Sequence, residues 1–210
     1  MSNSSTKSYG YDFSNDWFKA TAQRNFEWLF PKLRPVKILE VGSFEGASTC
    51  FMIQYLANVS PIEIHCIDTW MGGQEHAGEN MGEVEKRFLR NTELAIQNAP
   101  NKIKLVIHKG YSERSLSLLL ASNITDFDFV YIDGSHEAPD VITDAILSFK
   151  LLKPGGVLGF DDYTWGMDNI LMSPKLAIDS FINIYSKQLK IININPYQIY
   201  IQKTFFSRAK

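Results

Sequence analysis

The sequence predicts an α/β protein, built as a largely parallel sheet with helices on both faces and one reversed strand at its end. Three observations carry this. Near-continuous apolar runs of strand length alternate with amphipathic helical stripes, the pattern of a sheet buried on both sides. Small-residue turns follow several of the runs, as at Gly42, Gly110 and Gly134. The last two runs are separated only by Pro196 and Tyr197, a connection that can join antiparallel strands but not parallel ones.

Seven strands are expected, at Val36–Val41, Glu63–Asp68, Ile103–His108, Phe127–Asp133, Gly156–Phe160, Lys190–Asn195 and Gln198–Lys203. The clearest helices are Pro139–Leu152, with Ile142, Ala145, Ile146 and Phe149 on one stripe, and Pro174–Lys187, with Ile178, Phe181, Ile182 and Tyr185. Each opens with proline in its first turn, where the missing N–H costs nothing. Helices are also expected from about Gly46 to Ala57 and over Ser115–Leu120. Before the first strand, Ser14 is placed to cap a helix bearing Trp17, Phe18, Phe26, Trp28 and Leu29, an aromatic surface that either covers the core or lids a site. The expected organisation is a helical N-terminal cap, residues 1–35, on a single α/β domain, residues 36–210.

Composition excludes several function classes. The chain has 210 residues, 45 % of them apolar and 21 % charged, which suits one folded domain and not a disordered or fibrous chain. Twenty-one basic and 23 acidic side chains give a net charge of −2 without a basic block, so there is no electrostatic case for nucleic acid. No run approaches the ~18 apolar residues of a membrane span, and the polar start, Met1 to Lys7, lacks the apolar stretch of a signal peptide. Cys50 and Cys66 each sit in an apolar run, as buried reduced thiols do, and a cytoplasmic location is expected.

Four segments carry chemistry. The first strand runs through Glu40 into Gly42, Ser43, Phe44, Glu45 and Gly46, then a helix containing Ser48. This is either a nucleotide-binding turn or a plain small-residue connection, and Phe44 breaks the G-x-G-x-x-G dinucleotide pattern. The second strand ends in Asp68, Thr69 and Trp70, with the acid 22 residues beyond Gly46. An acid there can hold two ribose hydroxyls or cap a turn, and Trp70 can cover an adenine. Gly110, Tyr111 and Ser112 form a similar turn after the third strand, fit for adenine contacts or for capping a helix.

The fourth segment is acidic. Asp133, Gly134, Ser135 and His136 close strand four, and Asp161 and Asp162 close strand five 28 residues later, so all reach the carboxyl edge where open α/β sheets bind ligands. Three converging carboxylates call for protonation or for a hard cation, Mg²⁺ or Mn²⁺. Alternatively Asp161 and Asp162 point apart, as neighbours on an extended strand do, and leave a hydrated acidic pocket. His136 overhangs the pocket as a general base or a structural imidazole. The glycine-rich loop from Met71 to Asn80 reads as a lid or as a surface excursion, and Tyr163 to Asn169 offers aromatic faces for a sugar ring.

Together these segments, with Leu152 to Gly156 and Gly159 to Tyr163, resemble class I S-adenosylmethionine-dependent methyltransferases over about residues 36–203. The closest likeness is to metal-dependent O-methyltransferases that act on sugars of macrolide and aminocoumarin antibiotics. The resemblance implies a Rossmann-like, doubly wound, seven-stranded fold. It also implies S-adenosylmethionine bound by Glu40, Gly42, Ser43, Phe44, Ser48, Asp68, Thr69, Trp70, Gly110, Ser112 and Asp133, and a metal held by Asp133, Asp161 and Asp162. His136 would be the base and Asp133 its catalytic neighbour. The implied partner is a small-molecule or glycan hydroxyl, with a homo-oligomer possible in principle. The short N-terminal region departs from the larger antibiotic enzymes. An NAD-dependent oxidoreductase, a catechol-type methyltransferase and a catalytically silent cofactor-binding module are the competing readings.

Overall fold

In a computed structural model the described residues are 10–73 and 76–205; the polar start, and Gln74 and Glu75 of the glycine-rich loop, lie outside them. The elements run α1 (Trp17–Thr21), α2 (Gln23–Leu33), β1 (Lys37–Val41), α3 (Ala47–Leu56), β2 (Ile62–Asp68), α4 (Met81–Gln97), β3 (Ile103–Lys109), α5 (Ser112–Ala121), β4 (Phe127–Ile132), α6 (Ala138–Leu151), β5 (Leu152–Phe160), a 3-10 turn at Ile170–Met172, α7 (Pro174–Ile184), β6 (Leu189–Ile194) and β7 (Ile199–Lys203). The seven strands form one sheet in the order β3-β2-β1-β4-β5-β7-β6. All pairs are parallel except those of β7, which is antiparallel to both β5 and β6. The α/β class and the closing hairpin are therefore as expected from the sequence.

Each face of the sheet buries its own core. On one side Leu39, Val41, Val130, Leu158 and Ile201 pack under α5, α6 and α7; on the other, Ile38, Ile64, Phe129, Tyr131 and Tyr200 pack under α2, α3 and α4. Successive side chains of one strand thus alternate between two cores, the reason β4 is buried at every position. Phe26 and Phe30 of α2 meet Phe129 edge-on, so Phe26 and Leu29 of the N-terminal aromatic surface are core and Phe18 is partly so, while Trp17 and Trp28 are exposed.

Three local expectations need correction. Ser14 caps no helix: its backbone N–H donates to Glu45 Oε2 at 2.6 Å, and the chain enters α1 through Asp16. The aromatic segment is two helices, separated at Ala22. The longest helix, α4, was not foreseen; it buries Val84, Phe88, Asn91, Thr92 and Ala95 on one stripe, and two of those five are polar.

Topology fixes where a ligand can sit. The sheet order reverses between β1 and β4, so crossovers leave to opposite sides and open a crevice at their carboxyl ends. The hydrogen-bond ladder runs one residue past the strands there: Gly42 N–H donates to Ile67 O, Asp133 N–H to Val41 O, Gly110 N–H to Asp68 O and Asp161 N–H to Ile132 O. That extension places the four turns along a single edge.

Candidate active site

A cleft of about 510 Å³ opens along this edge, within the range of small-molecule and cofactor pockets. Gly42, Ser43, Phe44 and Ser48 line it from the first turn, Asp68 and Thr69 from the second, and Gly110 and Ser112 from the third. Asp133, His136 and Asp162 line its far end. Eleven of the fourteen residues expected at a cofactor, metal or catalytic position therefore share one cavity; Glu40, Trp70 and Asp161 do not line it.

The first turn is built on Glu40. Its carboxyl is fully buried beneath the turn and accepts hydroxyls from Ser43 at 2.7 Å, Ser48 at 2.5 Å and Thr49 at 2.5 Å. Burial pushes Glu40 above the usual carboxylate range and the three hydroxyls pull against it. Glu40 thus braces the turn from below and has no face toward a ligand. Asp68 braces it from the side: Oδ2 accepts the Ser43 and Phe44 N–H groups at 2.8 and 2.9 Å, and Oδ1 accepts the Trp70 N–H at 2.7 Å. A carboxylate has about four acceptor sites, so this turn-capping use leaves capacity for hydroxyls in the cleft.

Trp70 is turned inward, correcting its expected place over an adenine. It is 5 % exposed, donates its indole N–H to Phe44 O at 2.9 Å and packs on Phe88 with ring centres 4.9 Å apart. The cause is local backbone: Trp70 has φ +47°, a left-handed conformation that sends the side chain back under the turn. Phe44 at φ +47° and Asp162 at φ +54° share that strained region, and all three flank the crevice.

The acidic end is organised by pairs. Asp161 Oδ1 accepts the Asp162 N–H at 2.9 Å and Gln198 Nε2 at 3.1 Å, while Oδ2 accepts the Tyr131 hydroxyl. Asp162 faces the other way, its Oδ2 2.9 Å from His136 Nε2. Because these neighbours diverge, the expected three-aspartate metal centre is not assembled: among the described residues no three His, Cys, Asp or Glu side chains form a group able to hold a metal ion. The donors nonetheless have the hard-oxygen chemistry of a Mg²⁺ site. Burial, and then the charges of Asp161 and Asp162, push Asp133 well above its usual range. Burial and Asp162 raise Asp161 to about 6. Burial first, and the neighbouring carboxylates second, thus favour the protonated acids, one of the two ways a converging cluster is relieved.

Aromatic rings close the cleft. Trp17 stacks on Phe44 at 5.7 Å, and His76, from the glycine-rich loop, stacks on the same Phe44 ring at 4.9 Å. The strap leading to Trp17 is tied down: Asp12 and Asn91 exchange two backbone-to-amide hydrogen bonds at 2.9 and 3.0 Å, and Glu45, which holds Ser14, also pairs with Arg87. At the acidic end Trp165 packs on the His136 ring at 4.3 Å and lines the cleft. Sequence reasoning singled out Trp17 and Trp165 only as aromatic-segment residues. It missed Asp140 and Glu113, whose place in the cleft wall depends on α5 and α6 lying side by side.

The comparisons bear on the fold and the family. A solved O-methyltransferase from Bacillus cereus, in complex with SAH, superposes with a TM-score of 0.61 at 19 % identity, over 92 % of this chain and 83 % of that one. A TDP-rhamnose 3'-O-methyltransferase of calicheamicin biosynthesis gives 0.61 at 14 % identity, over 85 % and 77 %; at these identities the likeness is one of fold. An O-methyltransferase of Aspergillus hancockii is 28 % identical over 135 residues, 63 % of this chain and 44 % of that protein. The chain spans half or less of the length of the curated relatives it matches. A family model described as a methyltransferase domain matches residues 39–163, from β1 through the acidic turn after β5. The chain belongs to this methyltransferase-domain family.

Proposed function

We propose that the protein is an S-adenosylmethionine-dependent O-methyltransferase whose acceptor is a small-molecule hydroxyl, with a sugar the favoured class. One observation carries this reading: a single switch-point cleft joins the Gly42 turn and Asp68 at one end to the Asp133, His136 and Asp162 group at the other. Donor-binding and proton-accepting residues thus face one cavity, as transfer between two bound molecules requires. The sugar follows from the exposed face of Trp165 beside His136, a flat apolar surface next to polar groups, and from the calicheamicin enzyme's likeness in fold.

S-adenosylmethionine would supply a sulfonium-borne methyl group; Asp133, Asp161 and Asp162 are the residues that would hold a divalent ion, which would supply positive charge, only if Asp161 and Asp162 turned toward one point, since they diverge here. The protein's own part starts at His136. Its Nε2 lies 2.9 Å from Asp162 Oδ2 and its Nδ1 is buried, so the acceptor's hydroxyl proton is taken at the Nε2–Asp162 edge, where both residues line the cleft. Asp162 fixes the ring and stabilises the imidazolium that forms, and Trp165 packing restricts its tilt. Charge is lost as an alkoxide meets a sulfonium, so alignment and exclusion of water matter more than charge stabilisation. The Trp17–Phe44–His76 stack provides that exclusion at the turn end of the cleft.

The test is incubation with methyl-labelled S-adenosylmethionine and a panel of nucleotide sugars and catechols, with calorimetry for S-adenosylhomocysteine. Label transfer to a sugar hydroxyl is expected. Transfer only to catechols would replace the acceptor class, and binding without transfer to any acceptor would make the chain a silent module. No binding of either cofactor form would overturn the reading.

A further inference from the structure

A second cluster of titratable side chains lies outside the cleft, on strands β2 and β3. His65 is 2 % exposed, edge-on to Phe127 with ring centres 5.2 Å apart, and paired in register with Leu39 on one side and Val106 on the other. Both of its ring nitrogens are engaged. Nε2 lies 2.7 Å from Glu63 Oε1, and Nδ1 lies 2.9 Å from Nε2 of His108 on β3. Glu63 also pairs with Lys104 at 3.1 Å. This chain fixes where the protons sit at neutral pH. An ionised carboxylate can only accept, so His65 donates its Nε2–H to Glu63; neutral His65 then has a bare lone pair at Nδ1, and His108 fills it by donating its own Nε2–H.

We propose that the Glu63–His65–His108 chain is a pH-sensitive pin, which fastens the edge strand β3 to β2 at neutral pH and releases it in acid. β3 stands at the end of the strand order, so β2 is its one partner in the sheet. A first proton is accommodated, because one N–H···N bridge survives whichever ring carries the charge. A second proton leaves an N–H on each of the two facing nitrogens and no lone pair between them, with both rings positive at hydrogen-bond distance. The charges acting on the pair are Glu63 of β2, which favours protonation of His65, and Lys104 of β3 and Lys37 of β1, which oppose it. The other neighbours in this layer, Phe127 of β4 and Leu116 and Leu119 of α5, are apolar. Burial keeps both rings below the ordinary histidine range, and the charge of His65 lowers His108 further. Stability from the pin is therefore full above pH ~6.5, the unfolded value, and is lost as pH falls below it. Release reaches the cleft wall, since β3 leads into Gly110, whose N–H donates to Asp68 O at 2.9 Å. The pin acts whatever ligand the cleft takes.

The experiment is amide hydrogen exchange of the full chain from pH 7.5 to 5, expressed as protection factors so that intrinsic exchange rates cancel, for the wild type and His108→Gln. Glutamine keeps a donor for His65 Nδ1 and takes up no proton. Wild-type amides of β3 and Gly110 should lose about three- to tenfold in protection in acid, the worth of one hydrogen bond, while those of the central strand β4 hold. His108→Gln should keep its β3 protection across the range. An equal loss in His108→Gln, or no loss in the wild type, overturns the proposal. Where His108→Gln folds poorly, ring ¹⁵N shifts of the wild type decide: at pH 7.5 both histidines should be Nε2–H tautomers, and acid should titrate them in two separate steps. An Nδ1–H tautomer of His65, or one common step, overturns it as well.

Discussion

Gly42 and Asp133 meet backbone against backbone at the sheet's switch point: a Cβ added to Gly42 would stand 1.9 Å from the Asp133 carbonyl oxygen. Gly42 also has φ +84°, so two independent constraints require glycine. The contact locks the Gly42 turn to the strand end that carries the acidic group. Gly42→Ala should therefore cost ~3 kcal/mol or more, a fall in Tm of ~6–12 °C at this chain length, with methyl transfer lost. Gly78→Ala is the control, since Gly78 has φ +96° but open space around it and should cost only ~1–2 kcal/mol. Equal thermal shifts for the two variants would show that the close approach is not the constraint.

The stack of Trp17 on Phe44 gives a separable prediction. Trp17 is 52 % exposed and yet stacked on Phe44, so its removal leaves the core intact. An aromatic pair is worth about 0.5–1.5 kcal/mol, and Trp17→Ala should raise the KM for S-adenosylmethionine about three- to tenfold while kcat falls less. A variant with wild-type KM would make the strap a packing element only.

The strands were readable from the sequence because burial on both faces writes an apolar residue at nearly every position, and Pro196-Tyr197 is too short to reverse in any other way. Helix α4 escaped notice because Asn91 and Thr92 on its buried stripe serve as hydrogen-bond donors and acceptors and so dilute the apolar signal. The site residues were found as types, but their directions were not. Trp70 at φ +47° and Asp162 at φ +54° turn by backbone angles that no spacing rule supplies. The divergence of Asp161 and Asp162 depends on Tyr131, Gln198 and His136, which only the folded sheet brings beside them.

Divalent metal assistance is testable without reference to turnover alone. Chelation with EDTA should abolish methyl transfer and Mg²⁺ should restore it. Independently, saturating Mg²⁺ should stabilise the wild type by ~2 kcal/mol or more through binding to the folded state, and Asp133→Asn should remove that gain. Full activity after chelation, with no thermal shift on adding Mg²⁺, would leave the three carboxylates without a metal role.

Asp144 makes stability depend on pH in a stated direction. Burial in α6 raises its folded-state midpoint to about 7, above the ordinary aspartate value near 3.9. Between these values the folded chain holds a proton that the unfolded chain has released. Stability from this group is therefore full below pH ~4 and is lost as pH rises through about 7. Asp144→Asn cannot ionise, so its Tm should exceed that of the wild type by several degrees at pH 8.5 and match it near pH 4.5. A shift of equal size at both pH values would mean that packing, not charge, is what the substitution changes.

The pairing of His136 with Asp162 decides whether the acidic end performs proton transfer. The imidazole is held at Nε2 by a 2.9 Å contact and covered by Trp165, the arrangement of a base oriented by a carboxylate. His136→Ala should lower kcat at least ~100-fold, the usual size for a lost general base, while S-adenosylhomocysteine affinity stays close to wild type. Asp162→Asn keeps the side chain's size but removes the charge that favours the imidazolium, and should lower kcat while shifting the acid limb of its pH dependence toward lower pH. A decrease below about threefold for His136→Ala would mark the histidine as a bystander and place the proton acceptor elsewhere.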